Sequence, residues 1–228
     1  MTNHLNLLSE ELLLNVKMQK DTHVHQQKLK ELGIENLQIQ LASDDNKKAF
    51  WINIYNAYYQ ILRKEKNVTK SEIYKDKLFE IAGIKLSLDD VEHGILRKNK
   101  YKYSLGFMHN MFSSKFIKNH MVEELDYRIH FALNCGAKSC PPIAFYKVKN
   151  INDQLDLATQ SFLESESIFD DIKKEAEVTS LFKWFYADFG CTAGIKKIFT
   201  KQLHKDISDY KIIYNEYSWE EDLGNFAP

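Results

Sequence analysis

The segment from Asn46 to Lys66 constrains this chain most. Trp51, Ile54, Tyr55, Tyr58 and Leu62 recur at helical spacing and make one apolar face. Phe50, Ala57 and Ile61 carry the apolar surface well round the cylinder. A helix that is apolar on most sides must be covered on most sides, so the rest of the chain has to fold around it. Asn53 and Asn56 then fall on a narrow stripe among apolar neighbours. A buried amide needs hydrogen-bond partners or costs about 1–3 kcal/mol. Either these amides brace a neighbouring loop, or one of them orients a catalytic group or ligand.

With 228 residues the chain is sized for one domain, and such a domain buries roughly 70% of its unfolded surface without help from a disulfide or metal. The 14 Phe, 12 Tyr and 3 Trp read first as core material, with an aromatic-lined ligand groove as the alternative. The net charge of −1 gives no general attraction to nucleic acid or anionic lipid, so neither is expected as a partner. Lys98, Lys100 and Lys102 read as a solvated loop. No apolar run is long enough to span a bilayer. The first residues, with Glu10 and Glu11 inside the apolar stretch, lack the pattern of a secretory signal. Three cysteines make an odd, sparse count, which favours a reducing compartment and a cytoplasmic location. Nothing in the sequence sets an oligomeric state.

Residues 1–45 read as a helical extension in which Leu5, Leu8, Leu12 and Val16 dock on the body, and residues 46–228 as the main domain. Ser87 and Asp90 fit a capping box ahead of a helix with a core face of Leu88, Val91 and Ile95. Tyr127 to Leu133 alternates Ile129, Phe131 and Leu133 with His130 and Ala132, which predicts a strand. Ile151 to Ser165 predicts a helix, and Ile168–Ile172 with Ala176–Val178 a hairpin. Ser180 is expected to cap a helix running through Phe182, Phe185 and Tyr186 to Gly190. A shorter helix over Ala193–Leu203, a strand over Tyr210–Tyr214 and a tail from Tyr217 complete the chain. The expected fold class is α+β: a mainly helical single domain with a small, mostly antiparallel sheet. No strand is followed by a glycine-rich phosphate loop.

Residues 130–142 concentrate the unusual choices. Cys135 stands where the expected strand ends, and Gly136 lets the backbone turn there. A thiol in a tight loop with free backbone N–H groups suits a nucleophile beside an oxyanion hole, although a small buried hydrophobe is the plainer alternative. A thiolate needs a base or positive neighbour, and His93 or His130 would serve. Glu92, next to His93 in sequence, does not share its helix face; Asn53, Asn56 and Asn134 are the other groups able to orient a base. The side chains of Asn53, Glu92, His93, His130 and Cys135 are expected to converge on one cleft. Cys140, before Pro141, reads as structural, and Cys191 has no assigned role. The four residues between Cys135 and Cys140 lie within zinc-site spacing, but no second paired motif accompanies them, so no metal or other cofactor is called for.

Three blocks carry a resemblance to a known family. They are Lys48-Ala-Phe-Trp-Ile-Asn-Ile-Tyr-Asn-Ala57, Ser87-Leu-Asp-Asp-Val-Glu-His-Gly-Ile-Leu-Arg97, and Arg128-Ile-His-Phe-Ala-Leu-Asn-Cys-Gly-Ala-Lys-Ser-Cys-Pro-Pro142. They are similar to the signature blocks of the family catalogued as domain of unknown function 547. Phe182–Gly190 and Tyr214–Leu223 resemble its later segments, so the likeness runs from about Asn46 to Leu223. The resemblance implies a fold akin to papain-like or transglutaminase-like thiol enzymes. It marks Asn53, Asn56, Glu92, His93, His130, Gly136, Ser139 and Pro141 as characteristic positions. It also implies that Cys135 follows the bacterial pattern, while some plant relatives carry other residues there. Ser139 therefore stands beside Cys135 as an alternative nucleophile or donor. The function this reading favours is a thiol-dependent hydrolase or acyl transferase acting on an amide or ester. Its competitor is a non-catalytic module that holds a peptide or small-molecule ligand in the same cleft.

Overall fold

In the computed structural model, which describes residues 4–227 apart from 65 and 67, the helix α4 (Asp44–Lys64) is the axis of the molecule. Its residues from Lys47 to Leu62 are all buried. Helices α1 (His4–Lys17), α2 (His23–Lys30) and α3 (Ile34–Gln40) precede it. Leu5, Leu8, Leu12 and Leu13 of α1 enter the same core as Trp51, Ile54 and Tyr58.

After α4, helix α5 (Lys70–Lys75) starts from a full capping box between Thr69 and Glu72. Strands β1 (Phe79–Ile81) and β2 (Ile84–Leu86) pair antiparallel. The hairpin turns on Ala82 and Gly83, both at positive φ, as a two-residue turn requires. Ser87 and Asp90 then cap each other reciprocally, at 3.1 and 3.0 Å. The following turn, Asp90–Leu96, is π-helical: Arg97 N–H donates to the Glu92 carbonyl at 2.8 Å, five residues back. Helix α6 (Lys115–His120) closes this half.

Tyr127–Phe131 is a 3₁₀ helix, not a strand. Asp126 caps it by accepting from Arg128 N at 3.1 Å and also pairs with the Arg128 guanidinium. Ile129, His130 and Phe131 are all buried, so the apolar alternation reflects enclosure on every side rather than a pleated face. Helix α7 (Ile151–Glu166) leads to β3 (Ile168–Asp170) and β4 (Glu175–Val178), which pair antiparallel. Strand β5 (Lys211–Tyr214) adds to β4 in parallel, with Ala176 opposite Ile212. The crossover between them contains α8 (Leu181–Trp184) and α9 (Cys191–Leu203).

Ser180 does not cap a long helix. Its Oγ donates to the Asn215 carbonyl at 2.6 Å, and α8 ends after Trp184. The chain then winds through turns to Gly190, which sits at φ +74. A second aromatic core of Phe131, Phe162, Phe182, Phe189 and Phe199 lies under this region. The two sheets and the helices make one mainly helical α+β domain.

The segment after β5 is pinned across the molecule. Ala137 bridges Glu221 and Ile143 bridges Phe226. Asp222 N–H donates to the Gly136 carbonyl at 2.9 Å, and Lys138 N–H to the Glu220 carbonyl at 2.8 Å. This return of the chain carries Tyr217 and Trp219 over the 130–142 region.

Candidate functional site

One cavity of about 320 Å³ opens where α4, α5, the π-helical turn, the 3₁₀ helix, α8 and the C-terminal segment meet. Glu92, His93, His130, Cys135 and Cys140 line it together with Asp89 and Lys102. Its walls are largely rings: Tyr55, Tyr74, Trp184, Phe185, Tyr217 and Trp219. Trp184 and Trp219 stack with centroids 5.5 Å apart, and Tyr217 stands 4.8 and 4.7 Å from them. Tyr55 belongs to the core as well, whereas Trp219 is exposed, so rings serve here both as core and as cavity wall.

The π-helical turn supplies the acid–base groups. Glu92 is buried and accepts from Tyr55 Oη at 3.1 Å. Burial raises its carboxyl to about 7; the cation of Arg97 works against this, and Asp89 adds to it. His93 accepts from Arg97 Nη1 at 2.8 Å through Nδ1. Burial, and then the positive charges of Arg97 and Lys102, hold His93 well below the ordinary imidazole range, so it is neutral and carries its proton on Nε2. Asp89 pairs with Lys102 at the cavity edge. Lys102 is therefore part of this wall and not a freely solvated loop residue.

Arg97 organises the floor. It is fully buried, donates from Nε to Asp188 Oδ2 at 2.6 Å, and lies 4.5 Å from the Phe185 ring centroid. The same Asp188 oxygen accepts from His130 Nε2 at 3.0 Å. The His130 ring stacks on Phe185 at 4.0 Å. Burial pushes the Asp188 carboxyl up, but the hydrogen bonds from His130 and Arg97 outweigh it and leave the group below its usual range. Burial also lowers His130, against the pull of Asp188, so the pair rests as neutral imidazole and carboxylate. Gly106, at φ +89, leaves the space beside the Asp188 carboxylate that any side chain would fill.

Cys135 is not a free thiol in this structure: it is bridged to Cys140, with Cα atoms 5.9 Å apart. The odd count pointed away from disulfides, but three cysteines accommodate one bridge and one free thiol, and Cys191 is the free one. Cys135 N–H donates to Cys140 Sγ at 3.0 Å, and Tyr217 Oη contacts both sulfurs, at 3.1 and 3.0 Å.

The amides hold this loop. Asn56 donates to the Ala132 carbonyl at 3.0 Å and accepts from Asn134 N at 2.9 Å. Asn134 donates to the Pro141 carbonyl at 2.8 Å and accepts from Gly136 N at 2.9 Å, which closes the turn between the cysteines. Gly136, at φ +65, packs against the Tyr59 ring where a Cβ would collide. Ser139 Oγ accepts from Ser218 N at 3.0 Å and anchors the C-terminal segment.

Asn53 does not reach the cavity. It accepts from Tyr146 N at 3.0 Å and donates to the Tyr146 carbonyl at 2.8 Å, so it braces a different loop. Glu92, His93, His130 and Cys135 thus share one cavity, with Asn53 elsewhere. Arg97 and Asp188 were not singled out in the sequence, although each was a visible anomaly: a cation after Ile95-Leu96, and an acid just before Phe189.

The family described as protein of unknown function, DUF547, has a model that matches residues 39–163, more than half of the chain. The chain belongs to that family. No curated protein and no solved structure matches it. In this DUF547 chain the matched region holds Glu92, His93, Arg97, His130 and both bridged cysteines, while Asp188, Trp184 and Tyr217 come from beyond it. Among the described residues no helix is long and apolar enough to cross a membrane.

Proposed function

We propose that the chain works through this cavity as a binding site for a small molecule or short peptide, with Glu92 exchanging a proton with the occupant and His93 donating a hydrogen bond to it from Nε2. One observation carries the reading. A carboxyl poised near pH 7 and a neutral imidazole line the same ring-walled cavity, whose size lies in the range of small-ligand sites. Such an occupant would rest an apolar part on Trp184, Tyr217 and Trp219 and turn a polar part towards Glu92 and His93.

The thiol-dependent hydrolase or acyl-transferase reading belongs to the reduced protein. It is favoured by the position of Cys135 in the same cavity as His93 and His130. A dithiol reductant would open the bridge to two thiols and become a disulfide itself. Cys135, deprotonated by Nδ1 of His130, whose Nε2–H is held by Asp188, would then attack an amide or ester carbonyl and form an acyl-enzyme. The departing amine or alcohol would take the proton, and water would release the acid.

Intrinsic fluorescence tests the proposal, because Trp184 and Trp219 line the cavity whereas Trp51 is fully buried in the core. A library of short peptides and small amides and esters is titrated against unreduced and dithiol-reduced protein. We expect a saturable change for one chemical class, with a pH dependence near 7 that Glu92→Gln abolishes. No saturable change in either redox form would overturn the binding reading. Turnover of an ester from that class by reduced protein alone, lost in Cys135→Ser, would establish the thiol reading.

A further inference from the structure

The overall charge of −1 conceals a local reversal. Residues 98–120 contain five lysines and no Asp or Glu. The same segment holds the most exposed large apolar side chains near the cavity: Phe112 is 96% exposed and Met111 81%, with Tyr103 and Met108 also exposed. The loop is not loose chain. Tyr101 N–H donates to the Met108 carbonyl and Asn110 N–H to the Asn99 carbonyl, both at 2.8 Å, and Ala187 N–H fixes it to the body through the Leu105 carbonyl at 2.9 Å. Lys100 and Phe112 line one cleft, which Asp89 and Asp90 line as well.

We infer that this loop is a docking wedge for an anionic membrane surface. A self-braced loop that holds Phe and Met in water loses nothing by order when these side chains enter the acyl–headgroup boundary. Lys98 and Lys102 pair with Glu124 and Asp89, so it is Lys100, Lys115 and Lys118 that meet lipid phosphate and carboxylate charge, while their alkyl stems lie along the apolar layer. Charge complementarity selects this occupant. A second copy of the chain, docked through the same loop, would bring Lys100, Lys115 and Lys118 to face their own counterparts. Single-stranded nucleic acid would use rings for stacking but has no use for exposed Met108 and Met111. Docking here would place the membrane beside the cavity, since Lys102 of this loop is part of the cavity wall. The inference is independent of what the cavity binds.

Co-sedimentation with vesicles decides it. The intact chain is mixed with phosphatidylcholine vesicles that are pure or contain about a third phosphatidylserine. We expect pelleting only with the anionic vesicles, weakening as salt rises. Met111→Ser with Phe112→Ser should reduce it by about tenfold or more, as should Lys100→Glu with Lys115→Glu. These side chains are at the surface, and unchanged thermal melts will show that the variants fold. Absence of pelleting with anionic vesicles would overturn the inference. So would equal pelleting of the double variants, or a dimer, or an oligonucleotide complex, that these substitutions abolish while vesicles are ignored.

Discussion

Arg97 donates from Nη1 to Nδ1 of His93 at 2.8 Å, and this one hydrogen bond sets the tautomer of the imidazole that faces the cavity. The guanidinium also serves Asp188 and lies against Phe185, so a single buried cation ties the π-helical turn to the segment that holds Phe185 and Asp188.

Arg97→Leu should therefore destabilise the fold by about 3–5 kcal/mol, because it strands the buried Asp188 carboxylate. Urea melts check this. The double variant Arg97→Leu with Asp188→Leu should be more stable than the Arg97 variant alone, because neither charge is then left without its partner.

Stability should depend on pH through two opposing sets of groups. Glu92 is raised to about 7 when folded, so it favours the folded state below the unfolded carboxylate range and loses that contribution as pH climbs through 7. His93 and His130 are lowered when folded, so their contribution is full above the ordinary imidazole value near 6.5 and is lost as pH falls below it. Glu92→Gln removes only the first set. It should stabilise the protein above pH 7 by up to about 3 kcal/mol and make stability rise more steeply between about pH 5 and 7. Melts across this range would show a flat difference from the parent if Glu92 were not perturbed.

Asn53→Ala and Asn56→Ala should each cost about 1–3 kcal/mol, since each leaves two backbone groups unpaired in the core. They should differ in a second measurement. Asn56 braces the turn that carries Cys135, so only its loss should speed reduction of the disulfide by a dithiol.

Unreduced protein should show Cys191 as its one alkylatable thiol, with Cys135 and Cys140 recovered as a linked peptide by mass spectrometry. Cys135→Ser with Cys140→Ser should destabilise by about 2 kcal/mol, the loop-closure value for so short a loop. After reduction, iodoacetamide should label Cys135 faster than Cys191, and His130→Ala should slow it.

Much of this was legible in local pattern. The buried axis α4 follows from rings and aliphatics on most of its surface, and the Ser87–Asp90 cap from two side chains three residues apart. The hairpin of β3 and β4 falls on the two segments, Ile168–Ile172 and Ala176–Val178, expected to form it. The 3₁₀ helix at Tyr127–Phe131 was misread because a segment enclosed on every side shows no telling period.

What local pattern determined by itself was which segments had to be buried, and that Asn53 and Asn56 needed partners there. Tertiary structure decided whom they met. Hydrogen-bond partners 93 residues away in the chain, as for Asn53 and Tyr146, leave no mark in spacing. The same holds for Arg97 and Asp188, which are 91 residues apart. Two cysteines can bridge or stay apart at the same sequence separation, and the turn closed by Asn134 brings these within bonding reach. Ring content could mean core or cleft; only the return of the C-terminal segment across Gly136 and Ile143 put Tyr217 and Trp219 on the cavity wall. Side-chain chemistry fixes what each group needs, while the packing of distant segments fixes which partner supplies it.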